Sequence, residues 1–418
     1  MSKLPKLFAG LCAVLAVFAA TLWLLNTRGE NLTEWPALAT STPERGAYLA
    51  QVGNCAGCHT ERGGKPYAGG LGIDTPFGAV YATNLTPDAA TGIGSWTRAD
   101  FWRAMHHGKS KDGRLLYPAF PYTSYTLVTQ DDSDALFAFL KSLTAVKQTN
   151  KMHAVRFPYN SQVALAVWRA LYFKPATYTA DTQATTEWNR GAYLVNSLGH
   201  CSACHAARNA LGATDGLNLA GGLIPLQNWY APSLVSLQEA SVAIWRREDI
   251  IALFRTGVSP QASVNGPMAE VVLGSTQHWT DADLSAMAVY LKALPVTASA
   301  GPVKESSATP RGSKLYEQHC AQCHGNEGQG VANAYPALAG NRAVLMPQQA
   351  NLVQIVLNGG YAPATAGNPR PYGMPPFVLE LNDADIADVL THLRSSWGNQ
   401  ANPVSELEVN RIRAHQAR

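Results

Sequence analysis

Charge is scarce in this chain. Asp, Glu, Lys and Arg make up only 15% of 418 residues, and 32 basic against 29 acidic side chains leave a formal net charge of +3. So balanced a surface excludes polyanion binding as an organising feature, and no nucleic acid partner is expected. No glycine-rich dinucleotide fingerprint and no nucleophile elbow occur, so nothing marks a substrate-transforming site of either kind. Convincing strand pairs are also missing. What is present excludes disorder: 46% of residues are apolar, enough to build real cores over this length. Glycine (35) and proline (25) are plentiful and predict many loops between short helices.

One long apolar run stands apart. Leu7–Leu25, LFAGLCAVLAVFAATLWLL, holds no charge and spans roughly 28 Å as a helix, close to a bilayer core. Lys3 and Lys6 precede it, which keeps the N-terminus cytoplasmic. The run is long for a signal peptide, and the small-residue site Ala37-Leu38-Ala39 lies well past its end. An uncleaved membrane anchor over residues 1–26 is therefore expected. Either an anchor or a signal peptide exports everything that follows.

Beyond the anchor the chain repeats itself three times. Short helices open each repeat at 44–59, 189–205 and 310–324, and capped amphipathic helices close it at 129–143, 280–294 and 382–396. Thr129, Thr280 and Asn382 are N-cap residues, with Asp132, Asp283 and Asp385 three positions on. Middle helices at 96–108, 245–257 and 349–359 each stop at a glycine. The reading is all-α: three tandem domains at 40–145, 185–296 and 308–398. Residues 296–310 form a plain linker. The joining segment 144–188 carries an apolar helix around Val163–Phe173, and 398–418 reads as a loose or docking tail.

Six of the seven cysteines fall into three copies of one motif. Cys55, Cys58 and His59 form the first, Cys201, Cys204 and His205 the second, Cys320, Cys323 and His324 the third. Two cysteines one helical turn apart with a histidine beside the second suit two thioether bonds to haem vinyl groups and an imidazole on iron, the attachment signature of haem c. Disulfides would not require the histidine, and zinc would want paired CxxC sets within one domain. Three covalent haem c groups are expected.

The histidine leaves the opposite iron position open, and methionine there suits electron transfer. Met268 and Met374 stand on Pro/Gly-rich segments before the closing helices of repeats two and three. Met287 lies within the closing helix of repeat two and reads as core, and Met346, next to Pro347, is the weaker rival in repeat three.

In GGLGIDTPFGAVYATNLTPDAATGIGSWTRADFWRAM (69–105), YPAFPYTSYT (117–126), WNRGAYLVNSLGHCSACHAARNALGA (188–213) and GPMAEVVLGSTQHWTDADLSAMAVYLKAL (266–294), the chain resembles the triple-haem cytochrome c subunits of membrane-bound bacterial dehydrogenases for alcohols and sugar acids. The resemblance implies three cytochrome c domains on the periplasmic side of the inner membrane. It implies a catalytic partner that oxidises substrate with a flavin, pyrroloquinoline quinone or molybdenum cofactor, and ubiquinone as the acceptor. It puts the haem cysteines and proximal histidines on the three motifs and methionine ligands on Met268 and Met374. Repeat one departs from it, with Phe120 where a methionine could stand.

Phe120 cannot ligate iron, so its ring is expected in the apolar shell of the first haem. Met105 occupies the column of Phe254 and Val356 when the middle helices are aligned on their glycines, and is the first candidate sixth ligand. An empty or water-filled position follows, then His107 or His106; Met152 comes last. An open position would instead suit a haem enzyme or gas sensor. Electron transfer for a molybdenum hydroxylase or a terminal oxidase is a further alternative.

Overall fold

The computed structural model describes residues 4–27, 30, 40–214, 218–297, 309–332 and 334–416. Ala37-Leu38-Ala39 and most of the 296–310 linker lie outside the described residues. The chain divides into two compact units, residues 1–50 with 55–179, and 51–54 with 180–418.

In the first unit, helix α1 (Leu4–Thr27) is the apolar run, long and apolar enough to cross a membrane. Helix α2 (Pro43–Val52) leads into α3 (Cys55–His59). A small antiparallel sheet follows: β1 (Gly72–Thr75) pairs with β2 (Gly78–Tyr81), Ile73 opposite Val80, and β2 pairs with β3 (Ala154–Val155). These strands were not expected. They are too short to show an alternating pattern, and the turn at Gly78 (φ 125°) closes them. Helix α4 (Arg98–His107) starts at a Thr97–Asp100 capping box and stops at Gly108 in the left-handed region (φ 58°), as its sequence asks. The single turn α5 (Tyr122–Tyr125) and the closing helix α6 (Gln130–Ser142) complete the domain. Leu49, Phe101, Leu136, Phe137 and Leu140 form its core, with Phe101 and Phe137 rings 5.5 Å apart. Helix α7 (Gln162–Tyr172) covers the apolar segment expected around Val163–Phe173.

The second unit holds repeats two and three. Repeat two runs through α8 (Thr186–Asn196), α9 (Ser202–His205), α10 (Arg247–Thr256), α11 (Pro267–Gly274) and α12 (Asp281–Lys292). Repeat three runs through α13 (Pro310–His319), α14 (Ala321–His324), α15 (Arg342–Leu345), α16 (Ala350–Asn358) and α17 (Asp383–Ser395). Short two-residue strand pairs lie in the loops, so the chain is predominantly helical rather than wholly so. The tail docks: α18 (Glu406–Gln416) buries Val409 and Ile412 in the third core, and Arg413 Nε donates to Asp383 at 2.6 Å. The two repeats are also joined directly. Asn351 exchanges two hydrogen bonds with the Tyr230 backbone (2.8 and 2.7 Å), and Arg342 donates to Ser241 O at 2.7 Å while lying over the Trp245 ring.

Each repeat is closed by the same device. The opening helices carry Arg-Gly: Arg45-Gly46, Arg190-Gly191 and Arg311-Gly312. A Cβ at the three glycines would collide with the backbone carbonyls of Ala135, Ala286 and Asp388 on the closing helices. Glycine is therefore what lets the two helices cross in backbone contact. The arginines pair with the aspartates of the closing N-caps: Arg45 with Asp132, Arg190 with Asp283 at 2.8 Å, Arg311 with Asp385. Thr129, Thr280 and Asn382 each accept from the backbone N–H of that aspartate. Asn382–Asp385 completes the reciprocal box, with Asn382 N–H donating to the Asp385 carboxylate at 3.2 Å.

Candidate functional site

Each motif folds as one helical turn. The His205 and His324 backbone N–H groups donate to the Cys201 and Cys320 carbonyls at 2.9 Å, and Cys55–His59 is helix α3 itself. This puts the two thiols of a motif on one side of a turn with the imidazole beside them.

The three histidines share one further feature. His59 Nδ1 lies 2.7 Å from Thr83 O, His205 Nδ1 2.7 Å from Pro232 O, and His324 Nδ1 2.9 Å from Pro336 O. A carbonyl can only accept, so the proton sits on Nδ1 and the Nε2 lone pair is left free. Burial lowers the pKa of all three, with the carbonyl bond opposing it in part. The result is a neutral imidazole of fixed tautomer, as an iron ligand must be. Sequence reasoning missed these carbonyls because an acceptor on the backbone has no residue identity. The available signal is a leucine two positions on each time: Leu85, Leu234 and Leu338.

Burial pushes the Cys55 and Cys201 thiols up to about 12 and Cys320 to about 11. These are not the thiolates of a redox CxxC pair at neutral pH. Among the described residues no disulfide forms, and no three His, Cys, Asp or Glu side chains converge as a zinc cage requires. Two thiols and a free Nε2 on one turn fit haem c instead.

Aromatic side chains wall each site. Tyr125 is buried, and its pKa is held well above the usual value by burial and by the nearby Cys55 and Cys58 thiols. Phe120 packs edge-on against Tyr125 with centroids 5.3 Å apart, one ring removed from the first motif. Tyr290 stands beside Cys201 and Tyr316 beside Cys320.

The candidate sixth ligands occupy distinct settings. Met268, expected on a loop, lies in the first turn of α11, where Pro267 at the first helical position presets the backbone. Met374 lies in a two-residue strand, opposite Gly360, half-buried against the third core. Met287 and Met346 are buried, and Met152 is 91% exposed. Met105 is buried on α4 beside His106 and His107, and His106 stacks on Trp102 at 4.3 Å. Burial, with His107 for His106 and with Lys109, Arg169 and Arg103 for His107, lowers both histidines to about 4. His107 is thus neutral near pH 7 and does not act as a cation at the helix end.

The cytochrome c family model matches residues 43–144 and 310–397. The chain is 37% identical to the cytochrome c subunit of alcohol dehydrogenase (quinone) from Gluconacetobacter polyoxogenes, covering 92% of this chain and 87% of that one. It is 36% identical to the gluconate 2-dehydrogenase cytochrome c subunit of Pantoea cypripedii, over 86% of each. It is 38% identical to one subunit of the nicotinate dehydrogenase of Pseudomonas putida, over 94% of this chain but 35% of that protein.

Proposed function

Because the chain belongs to the cytochrome c family, among the cytochrome c subunits of dehydrogenase complexes, we propose that it relays electrons through three haem c groups from a catalytic dehydrogenase subunit to ubiquinone. The observation that carries this reading is the triplicate histidine geometry: three neutral imidazoles, each with Nδ1 tied to a carbonyl and Nε2 free, beside two thiols. Bound there, haem c supplies a one-electron iron couple.

The residues divide the work as follows. Cys55 and Cys58, Cys201 and Cys204, Cys320 and Cys323 would hold the groups covalently, and His59, His205 and His324 would each offer an imidazole nitrogen to the iron. Met268 and Met374 would offer a thioether sulfur in repeats two and three, and Met105 would do so in repeat one, where Phe120 fills the aromatic shell. The backbone bonds at Thr83, Pro232 and Pro336 hold the imidazoles in orientation and raise their basicity. The hydrogen bonds between repeats two and three keep those sites in one unit.

Quinone is named in the alcohol-dehydrogenase relative, and it suits a chain whose helix α1 can cross a bilayer. In this reading α1 anchors the chain in a bacterial inner membrane with the three domains in the periplasm. The partner oxidises an alcohol, a sugar acid or a related polyol with a flavin or pyrroloquinoline quinone. The similarity to part of a nicotinate dehydrogenase supports a second reading of the partner alone, a molybdenum hydroxylase. The test is the haem count by pyridine haemochrome. Three per chain are expected, falling to two when Cys201→Ala and Cys204→Ala are combined; a count unchanged by that double substitution refutes the assignment of repeat two.

A further inference from the structure

Helix α7 is built inside out. Apart from Gln162 in its first turn, its outward residues are apolar, with Val163 and Leu171 each 64% exposed, while its one charged residue, Arg169, is 3% exposed. Arg169 lies inward over the Tyr122 and Phe173 rings at 5.3 and 4.7 Å. Phe157, just before the helix, is 83% exposed, and Tyr159 and Tyr172 are exposed as well. In water this arrangement wastes apolar burial along a whole helix face.

Its neighbour explains it. Helix α7 packs along the last turns of α1. Ala19, Leu22 and Trp23 of α1 and Val163 and Ala166 of α7 line one shallow apolar groove. Asn26 Nδ2 donates to Ala166 O at 3.1 Å, and Arg169 Nε donates to Asn26 Oδ1 at 2.9 Å. From Ala19 to Asn26 is about 10 Å of helix axis, the outer part of a spanning segment. Whatever packs there sits at the boundary between headgroups and acyl chains. Exposed Arg156 and Lys174 bracket the apolar segment in sequence, placing cations where lipid phosphates lie.

We propose that α7, with the Phe157–Tyr159 corner before it, lies embedded in the outer surface of the same bilayer that α1 crosses, as a second membrane contact. This rests on the reading of α1 as an anchor. The occupant of the apolar face is lipid, because the face continues the lipid-facing surface of α1 and its flanking charges are positive. The contact holds repeat one against the membrane: Tyr122, over which Arg169 lies, packs where a Cβ on Gly108 at the end of α4 would fall.

The experiment uses the full haem-loaded chain in vesicles of phosphatidylcholine and phosphatidylglycerol containing a diazirine-bearing phosphatidylcholine, with lipid adducts mapped by mass spectrometry after trypsin. Adducts are expected in Leu7–Leu25 and also in peptides 157–169 and 170–190, in the latter within residues 170–174. Their yield should exceed that of peptide 343–394, which carries exposed Leu379, by at least about tenfold. Adducts in the anchor alone overturn the inference and leave the anchor standing. Adducts in neither segment overturn both.

Discussion

Replacing Gly191 by alanine separates two opposite expectations. Gly191 is in the interior of α8. On helix propensity alone, alanine there should stabilise the protein by about 0.5–1 kcal/mol. The crossing says otherwise. A Cβ on Gly191 would lie 2.6 Å from the Ala286 carbonyl carbon and 2.8 Å from Tyr290 Cβ, where roughly 3.5–4 Å is comfortable. Helices α8 and α12 must part by about 1 Å. Their contacts include the Trp188–Tyr290 ring pair at 5.1 Å and the Asn196–Tyr290 hydrogen bond at 3.0 Å. Overpacking of this kind costs about 1–3 kcal/mol, and because backbone meets backbone the upper part of that range applies. The net expectation is a loss of about 2 kcal/mol, or roughly 10 °C in the melting temperature of a domain this size. The assay is thermal unfolding followed by far-ultraviolet circular dichroism, with Gly46→Ala and Gly312→Ala in parallel. All three should destabilise. A raised melting temperature in Gly191→Ala refutes the close crossing, because only the propensity gain would then be left.

Arg190→Ala should destabilise repeat two by about 1–3 kcal/mol, since it strips both charge-assisted bonds from the buried Asp283 carboxylate; an unchanged urea midpoint would count against the clamp. Met105→Ala should convert one haem in three to a high-spin species of lowered potential in optical and paramagnetic resonance spectra, and an unchanged low-spin signature for all three excludes Met105 as a ligand. Amino-terminal sequencing of membrane-purified protein should find residues ahead of Leu7 retained, and a start near residue 40 would show cleavage instead of anchoring.

Much of this architecture was legible because it is written in residues whose chemistry allows few uses. A histidine after each of three CxxC pairs, N-cap threonine or asparagine with aspartate three positions on, and glycine at the end of each middle helix all lie where the sequence places them. The Arg-Gly pairs were visible as repetition, but their role was not. The clash at Gly46, Gly191 and Gly312 is with the carbonyls of Ala135, Ala286 and Asp388, roughly 75–95 positions away, and a local pattern carries no information on what a helix crosses. The strand pairs escaped because two to four residues are too few to alternate.

Helix α7 shows a different limit. Periodicity reveals that a helix has an apolar face, but it does not say which medium that face meets. Read alone, QVALAVWRALY would bury its valines and expose its arginine. In the structure Arg169 is buried together with Leu165 and tied to Asn26 at the end of α1, while Val163 and Leu171 are turned outward. Burying an arginine is costly unless its hydrogen bonds and ring contacts are supplied. Asn26, Tyr122 and Phe173 supply them. That cost is hard to account for if both faces of α7 meet water or protein, since turning the helix over would relieve it. It is readily accounted for if the outward face meets lipid, where an arginine turned outward would cost more still.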